Sequence, residues 1–164
     1  MAVITFIHDT RDKATKHRNV DEYLIEQGHK VVRSKLFVGD VSLLNNQSIC
    51  IDLKRNLQEV AVNVGQDHAR FKRELERAQE YGIHLIFLVE HGGSIKTLED
   101  VQNWNNPRLK EHPLALTGPR LYRIMLTMQN KYGIEWLFCD KRCTGKRIIE
   151  LLAKCERGEI NERF

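Results

Sequence analysis

No stretch of the 164-residue chain approaches the roughly 18 consecutive apolar residues that a membrane span requires. The apolar run at residues 3–7 is short, and His8, Asp9 and Arg11 follow it at once. That pattern fits a buried first strand better than a signal peptide, so an intracellular, cytoplasmic protein with no membrane partner is expected. Cysteine is scarce: Cys50, Cys139, Cys143 and Cys155 are too few and too scattered for a secreted disulfide scaffold. Cys139 and Cys143 lack a second Cys/His pair at metal-knuckle spacing, so reduced structural thiols are expected. The three prolines all fall within residues 91–119, and repeats and low-complexity tracts are absent. Charge of one sign is only mildly in excess, at +4, which permits nucleic-acid binding without demanding it.

What is present is an ordinary globular composition, 41% hydrophobic and 29% charged, long enough to bury a core. Residues 3–8 read as a strand, 20–27 as a short helix stopped by Gly28, and 30–36 as a second strand. Residues 38–44 and 48–53 flank Asn45-Asn46-Gln47, a hairpin signal. A helix starts at 56–62, and a clear one covers 67–81, where Phe71, Leu75 and Ala78 recur at helical spacing. Residues 84–89 are wholly apolar, as in a central strand buried on both faces. Residues 91–119 are loop-rich, with a short helix near 98–104. A helix at 120–132 turns Leu121, Ile124, Met125 and Met128 inward. A strand at 135–138 and a closing helix at 144–156 complete the order. This succession predicts an α/β fold with a mixed sheet and helices on both faces. One domain over 1–157 and a polar tail over 158–164 are expected.

The hairpin carries the chemistry. Side chains alternate along a strand, so Asp52 and Lys54 share one face while Ile51 and Leu53 share the other. A three-residue loop at 45–47 sets Leu44 opposite Ser48, Ser42 opposite Cys50 and Asp40 opposite Asp52. Two carboxylates then stand about 5 Å apart at their β-carbons. Such a pair repels unless a cation lies between them, and a hard dication such as Mg²⁺ or Mn²⁺ suits oxygen ligands. Lys54 could orient or deprotonate an attacking water, or stabilise charge on phosphorus. The same residues also describe an exposed Asp52–Lys54 pair of little consequence, since a lone D-x-K is a weak motif.

Three blocks in order carry a resemblance: His8-Asp9-Thr10-Arg11-Asp12, Val38-Gly39-Asp40 and Ile51-Asp52-Leu53-Lys54. Together they resemble the nuclease domain of XPF-type structure-specific endonucleases, in the PD-(D/E)XK superfamily, over residues 3–152. The family pattern is D-x-R-E, then G-D, then E-R-K. The resemblance implies a restriction-endonuclease-like fold and metal-dependent cleavage of branched or flapped DNA, in repair or recombination. It implies that Asp40, Asp52 and the Leu53 carbonyl hold the metal, and that Lys54 is the catalytic lysine. Asp9 becomes a further acid near the metal, Arg11 a phosphate contact or organiser of the acids, and Asp12 the counterpart of the family glutamate. Leu53 replaces the arginine of E-R-K, and the family acid one turn later falls on Gln58, beside Glu59.

Arg70, Arg73 and Arg77 form a basic stripe beside the apolar face of their helix, and Arg120, Arg123 and Lys131 another; such stripes suit phosphates or plain solvent. No tandem helix-hairpin-helix module fits this chain, so DNA contact is expected from the nuclease domain, from self-association as a homodimer, or from a partner protein. Trp104 and Trp136 read as core or interface residues, and Gly145-Lys146-Arg147 as an ordinary helix start. His8 and His91 would approach the metal only if their strands end at one edge. A non-catalytic DNA-binding or scaffolding module with the same fold, and a plain interaction domain, stand as the alternative readings.

Overall fold

The computed structural model describes residues 2–156; the tail expected over 158–164 lies outside the described residues. Six strands form one sheet in the order β2-β1-β3-β4-β5-β6. They are β1 (Thr5–His8), β2 (Lys30–Arg33), β3 (Val41–Leu43), β4 (Ile49–Lys54), β5 (His84–Glu90) and β6 (Glu135–Cys139). β1 is parallel to β2 and antiparallel to β3, β3 is antiparallel to β4, and β4, β5 and β6 run parallel. The sheet is therefore mixed, as the element order predicts.

Alternation along the central strands sorts the core into two layers. Leu85, Phe87 and Val89 of β5 join Cys50 and Trp136 on one face. That face is covered by α2 (Leu57–Val64), α3 (His68–Glu80) and α4 (Gly118–Tyr132). Ile86 and Leu88 point the other way with Phe6, Ile51 and Leu53, under α1 (Arg18–Glu26) and α5 (Thr144–Glu156). Both tryptophans are core residues, and the Trp136 indole N–H donates to the Met125 carbonyl at 3.0 Å. Cys50, Cys139 and Cys143 are free thiols. The α4 helix buries Leu121, Met125 and Met128, while Ile124 is only partly covered.

Two expected boundaries shift for identifiable reasons. The second strand stops at Arg33, because the Leu36 N–H donates to the Asp9 carboxylate at 2.8 Å and the Leu36 carbonyl accepts from Arg11. The hairpin ladder pairs Val41 with Ile51 and Ser42 with Cys50, the expected register. It does not extend to Leu44 and Ser48: the Leu44 N–H donates to the Thr5 carbonyl, and Ser48 bonds the Asn46 side chain. β1 thus captures the chain just past β3.

The two helices of the second layer meet at a glycine. A β-carbon on Gly145 would lie 2.5 Å from Tyr23 Cδ1 and 3.1 Å from Tyr23 Cβ, closer than packing allows. Helix propensity alone favours Gly→Ala by about 1 kcal/mol. We expect Gly145→Ala instead to destabilise the protein by about 1–3 kcal/mol through overpacking. Denaturant titration should show that loss shrinking in a Tyr23→Ala background. Neutral or stabilising behaviour of Gly145→Ala would contradict this packing.

Candidate active site

The carboxyl end of β4 and the turn before β3 open into a cleft of about 620 Å³ between the sheet and α2 and α3. Gly39 makes the turn. Its φ is +75°, and an added β-carbon would press on Cys50 and the Ile51 carbonyl at 3.1–3.2 Å. Only glycine takes that conformation without strain, and it delivers Asp40 to the mouth of the ladder. There the Asp40 N–H donates to the Ile51 carbonyl at 2.8 Å, and the Asp40 carboxylate accepts the Leu53 N–H at 2.7 Å. Side chain and backbone of Asp40 thus both bind β4, directly across from Asp52.

Asp52 and Lys54 share the face that alternation assigns them, and both are buried, at 6% and 7% exposure. Their burial removes the reading of an exposed pair. Lys54 Nζ lies 2.9 Å from Asp52 Oδ1 and 5.7 and 5.6 Å from the ring centroids of Phe71 and Phe87. The aromatic floor supports the lysine stem and attracts its charge. Burial alone would lower the Lys54 pKa, but the Asp52 charge, with Glu74 and Glu59 behind it, outweighs burial and holds it above its ordinary value. The ammonium is therefore charged and suited to stabilising negative charge.

The acids are under the opposite pressure. Burial first, and the Asp52 charge second, push the Asp40 carboxyl well above its usual range, against the Leu53 hydrogen bond. Glu74 of α3 faces the same point and is pushed up to about 7 by burial and by Asp52. Asp52 is buried, its Oδ1 meets the Lys54 ammonium at 2.9 Å, and Glu74 approaches the same carboxylate. A buried carboxylate answered by one ammonium, beside two acids that resist ionising, is a crowding of acids that a hard cation would relieve. Asp40, Asp52 and Glu74 offer oxygen donors, the kind that hard dications take. Leu53 also lines the cleft, while its side chain packs into the opposite core layer.

The remaining predicted residues are brought to the same cleft with different standing. Asp9 is buried, and both its oxygens are engaged: Oδ1 by the Leu36 N–H, Oδ2 by the Arg11 Nε at 2.8 Å. Arg11 also donates to the Leu36 carbonyl at 2.5 Å, so here the pair organises the cleft wall. Arg70, Arg73 and Arg77 line the outer side and are exposed. Glu59 lines the cleft, whereas Gln58 lines a separate groove beside residues 106–116. Of the two, Glu59 is thus the one that reaches the cleft, from a helix capped by the Asn56 side chain.

Sequence reasoning missed Glu74 and a buried histidine cluster. Glu74 sits within the arginine stripe, and its four-residue offset from Arg70 was the available signal. His8 Nδ1 lies 2.6 Å from Asp21 Oδ1, and His8 Nε2 lies 2.7 Å from Asp12 Oδ2. His17 Nδ1 approaches the same Asp12 oxygen at 2.5 Å. Burial alone would lower His8, but its bonds to Asp12 and Asp21 win and push it up to about 9. Asp12, likewise against burial, is held below its usual range by His17 and His8.

Solved structures share this fold. XPF from Aeropyrum pernix aligns with a TM-score of 0.63 at 22% identity, over 98% of this chain and 64% of that one. XPF from Aeropyrum pernix in complex with DNA aligns with a TM-score of 0.64 at 21% identity, over 94% and 66% respectively. The chain thus spans just under two thirds of the length of these neighbours. No family model matches the chain, and no curated protein matches it by sequence. The likeness establishes that the chain shares the fold of these XPF structures: an α/β sheet of six strands with helices on both sides.

The raised Glu74 pKa has a defined sign. An acid whose pKa rises on folding contributes stability that is full below its ordinary 4.5 and gone above about 7. In EDTA, melting temperature is expected to fall across that window more steeply for wild type than for Glu74→Gln. Equal slopes would show that Glu74 is not strained. Above the window, Mg²⁺ or Mn²⁺ at a hundred times its Kd should stabilise wild type by about 2.7 kcal/mol. Asp52→Asn should lose that gain.

Proposed function

We propose that this chain carries a metal-dependent DNA endonuclease site that hydrolyses phosphodiester bonds, with Asp40, Asp52 and Lys54 at its centre. The observation that carries the reading is the buried Asp52–Lys54 pair at 2.9 Å, with Asp40 across the ladder and the Asp40 and Glu74 carboxyls both pushed up beside it. The fold it shares with XPF structures, one of them in complex with DNA, supports the choice of DNA as substrate. Asp40, Asp52 and the Leu53 carbonyl would hold Mg²⁺ or Mn²⁺, with Glu74 as a further oxygen donor. When bound, the dication supplies positive charge to a phosphoryl oxygen and a more acidic water.

The chain's own residues do the rest. Lys54, charged and fixed on its aromatic floor, stabilises the negative charge that grows on phosphorus-bound oxygen as water attacks. Asp9 and Arg11 hold one wall, where Arg11 would meet an incoming phosphate. Arg70, Arg73 and Arg77 track the backbone along the outer side. Cutting at branched or flapped DNA, with service in repair or recombination, follows the XPF resemblance. Self-association or a partner protein would extend the DNA contact.

Labelled flap, fork and duplex DNA incubated with Mg²⁺ or Mn²⁺ should be cut by wild type and left intact by Asp52→Asn. Lys54→Ala should lose roughly 100- to 1,000-fold in rate, the usual cost of one charge-stabilising donor. Salt-sensitive binding without cutting, on every substrate, would move the assignment to a non-catalytic DNA-binding module.

The arginine row makes a separate prediction for binding. Each of Arg70→Ala, Arg73→Ala and Arg77→Ala should flatten the log K against log salt slope by about 0.9, regardless of DNA sequence. An unchanged slope in all three would remove this helix from the interface.

A further inference from the structure

We propose that His8, Asp12 and His17 form a second metal site, selective for a zinc-type transition-metal dication and separate from the hard-cation site at Asp40 and Asp52. The three residues are buried, at 1%, 7% and 4% exposure. One ligand atom from each lies within 4.8 Å of the other two. Two imidazoles and one carboxylate are the donor set that Zn²⁺ takes, whereas Mg²⁺ avoids nitrogen. The neighbouring acids offer oxygen only, so the two sites differ in kind.

The surroundings are those of a prepared site. Asp21 Oδ1 sits 2.6 Å from the distal ring nitrogen of His8, which fixes the ring and leaves Nε2 aimed at the cluster. Carboxylates in that position orient metal-bound histidines and strengthen them as ligands. The anchors are rigid: His8 ends β1, and His17 is the N-cap residue of α1 with its side chain turned away from capping. Arg33 donates to the backbone carbonyls of both Asp9 and Asp12, which pins the loop between those anchors. Both imidazoles converge on one oxygen of Asp12, while Oδ1 faces Lys16 Nζ at 3.9 Å.

The present spacings of 2.7 and 2.5 Å are hydrogen-bond distances. Zinc–ligand bonds near 2.0 Å in a tetrahedron need donors roughly 3.3 Å apart, so the ligand atoms open by about 0.7 Å. The ring protons now facing Asp12 leave to solvent as the ion enters, and a fourth position remains for water. Asp12 also lines the catalytic cleft. An ion here would staple the end of β1 to the start of α1 and set the wall that carries Asp9 and Arg11.

The test is Zn²⁺ uptake by the whole chain, followed by the visible absorption of the Co²⁺-loaded protein. Wild type and Asp52→Asn should both take up stoichiometric Zn²⁺ and show the intense bands of low-coordinate Co²⁺. His17→Ala should lose them, and Asp21→Asn should bind Zn²⁺ roughly 10- to 100-fold more weakly. Absence of uptake in wild type would overturn the site and leave a hydrogen-bonded array. Uptake that vanishes in Asp52→Asn would also overturn it, placing zinc at the hydrolytic acids. Should His17→Ala fail to fold, wild type against Asp52→Asn decides alone. None of these readouts depends on cleavage, so a protein without nuclease activity leaves the proposal standing or falling by itself.

Discussion

Two aspartates facing one another at the mouth of a buried ladder, with a single lysine to answer them, set the conditions for the rest of this molecule. Asp40, in the turn that enters β3, and Asp52, on β4, lie on adjoining segments at the mouth of the sheet's central hairpin. Asp40 is tied to β4 by its own N–H and by the Leu53 N–H on its carboxylate. Asp52 is tied to Lys54, whose stem is pinned by Phe71 and Phe87. The core that stabilises the fold is thus the same apparatus that keeps like charges together. Removing Lys54 from such a buried set would leave its acidic partners uncompensated.

The wall opposite α3 follows from the same constraint, met by a different route. Asp9 is as buried as Asp52, yet it is satisfied within the chain by Arg11 and the Leu36 N–H. Those bonds end the second strand early and bring residues 36–40 across the cleft, so that Gly39 can turn and present Asp40. One residue satisfied internally positions another that is not. The division suits a site in which some acids build the wall and others face the reacting group.

Much of this was legible in the sequence because it depends on short-range periodicity. Alternation placed Asp52 and Lys54 on one face, and the three-residue loop fixed the register that pairs Ser42 with Cys50. The apolar run in β5 gave a strand covered on both sides, which in turn required helices above and below. Glu74 was not legible in that way. It sits in a row of arginines on an exposed-looking helix face, and only the approach of α3 to β4 buries it beside Asp52. His8, Asp12 and His17 were hidden for another reason: a loop between strand and helix has no period. Their meeting depends on where α1 packs, against Gly145 and Tyr23, and on Arg33 from the adjoining strand. Gln58 and Glu59 show the limit most plainly. A shift of one residue at a helix start exchanges a cleft-facing acid for one that faces another groove, and helix starts are where sequence patterns are least definite.

The charge layout also couples the two ligands that the proposed chemistry requires. Acids occupy the floor, and arginines occupy the outer side. In the proposed chemistry, a phosphodiester drawn in by Arg70, Arg73 and Arg77 would meet repulsion from whichever of Asp40, Asp52 and Glu74 are ionised before it reached Lys54. A dication among the carboxylates reverses the sign of the floor and turns that repulsion into attraction. By the reciprocity of linked equilibria, whatever the cation adds to DNA affinity the DNA adds to cation affinity. On that reading the acids would act as a gate, opposing phosphate without the cation and completing the site with it. Replacing the acids with neutral residues would relax the metal-free protein and abolish the coupling together, because a single repulsion underlies both.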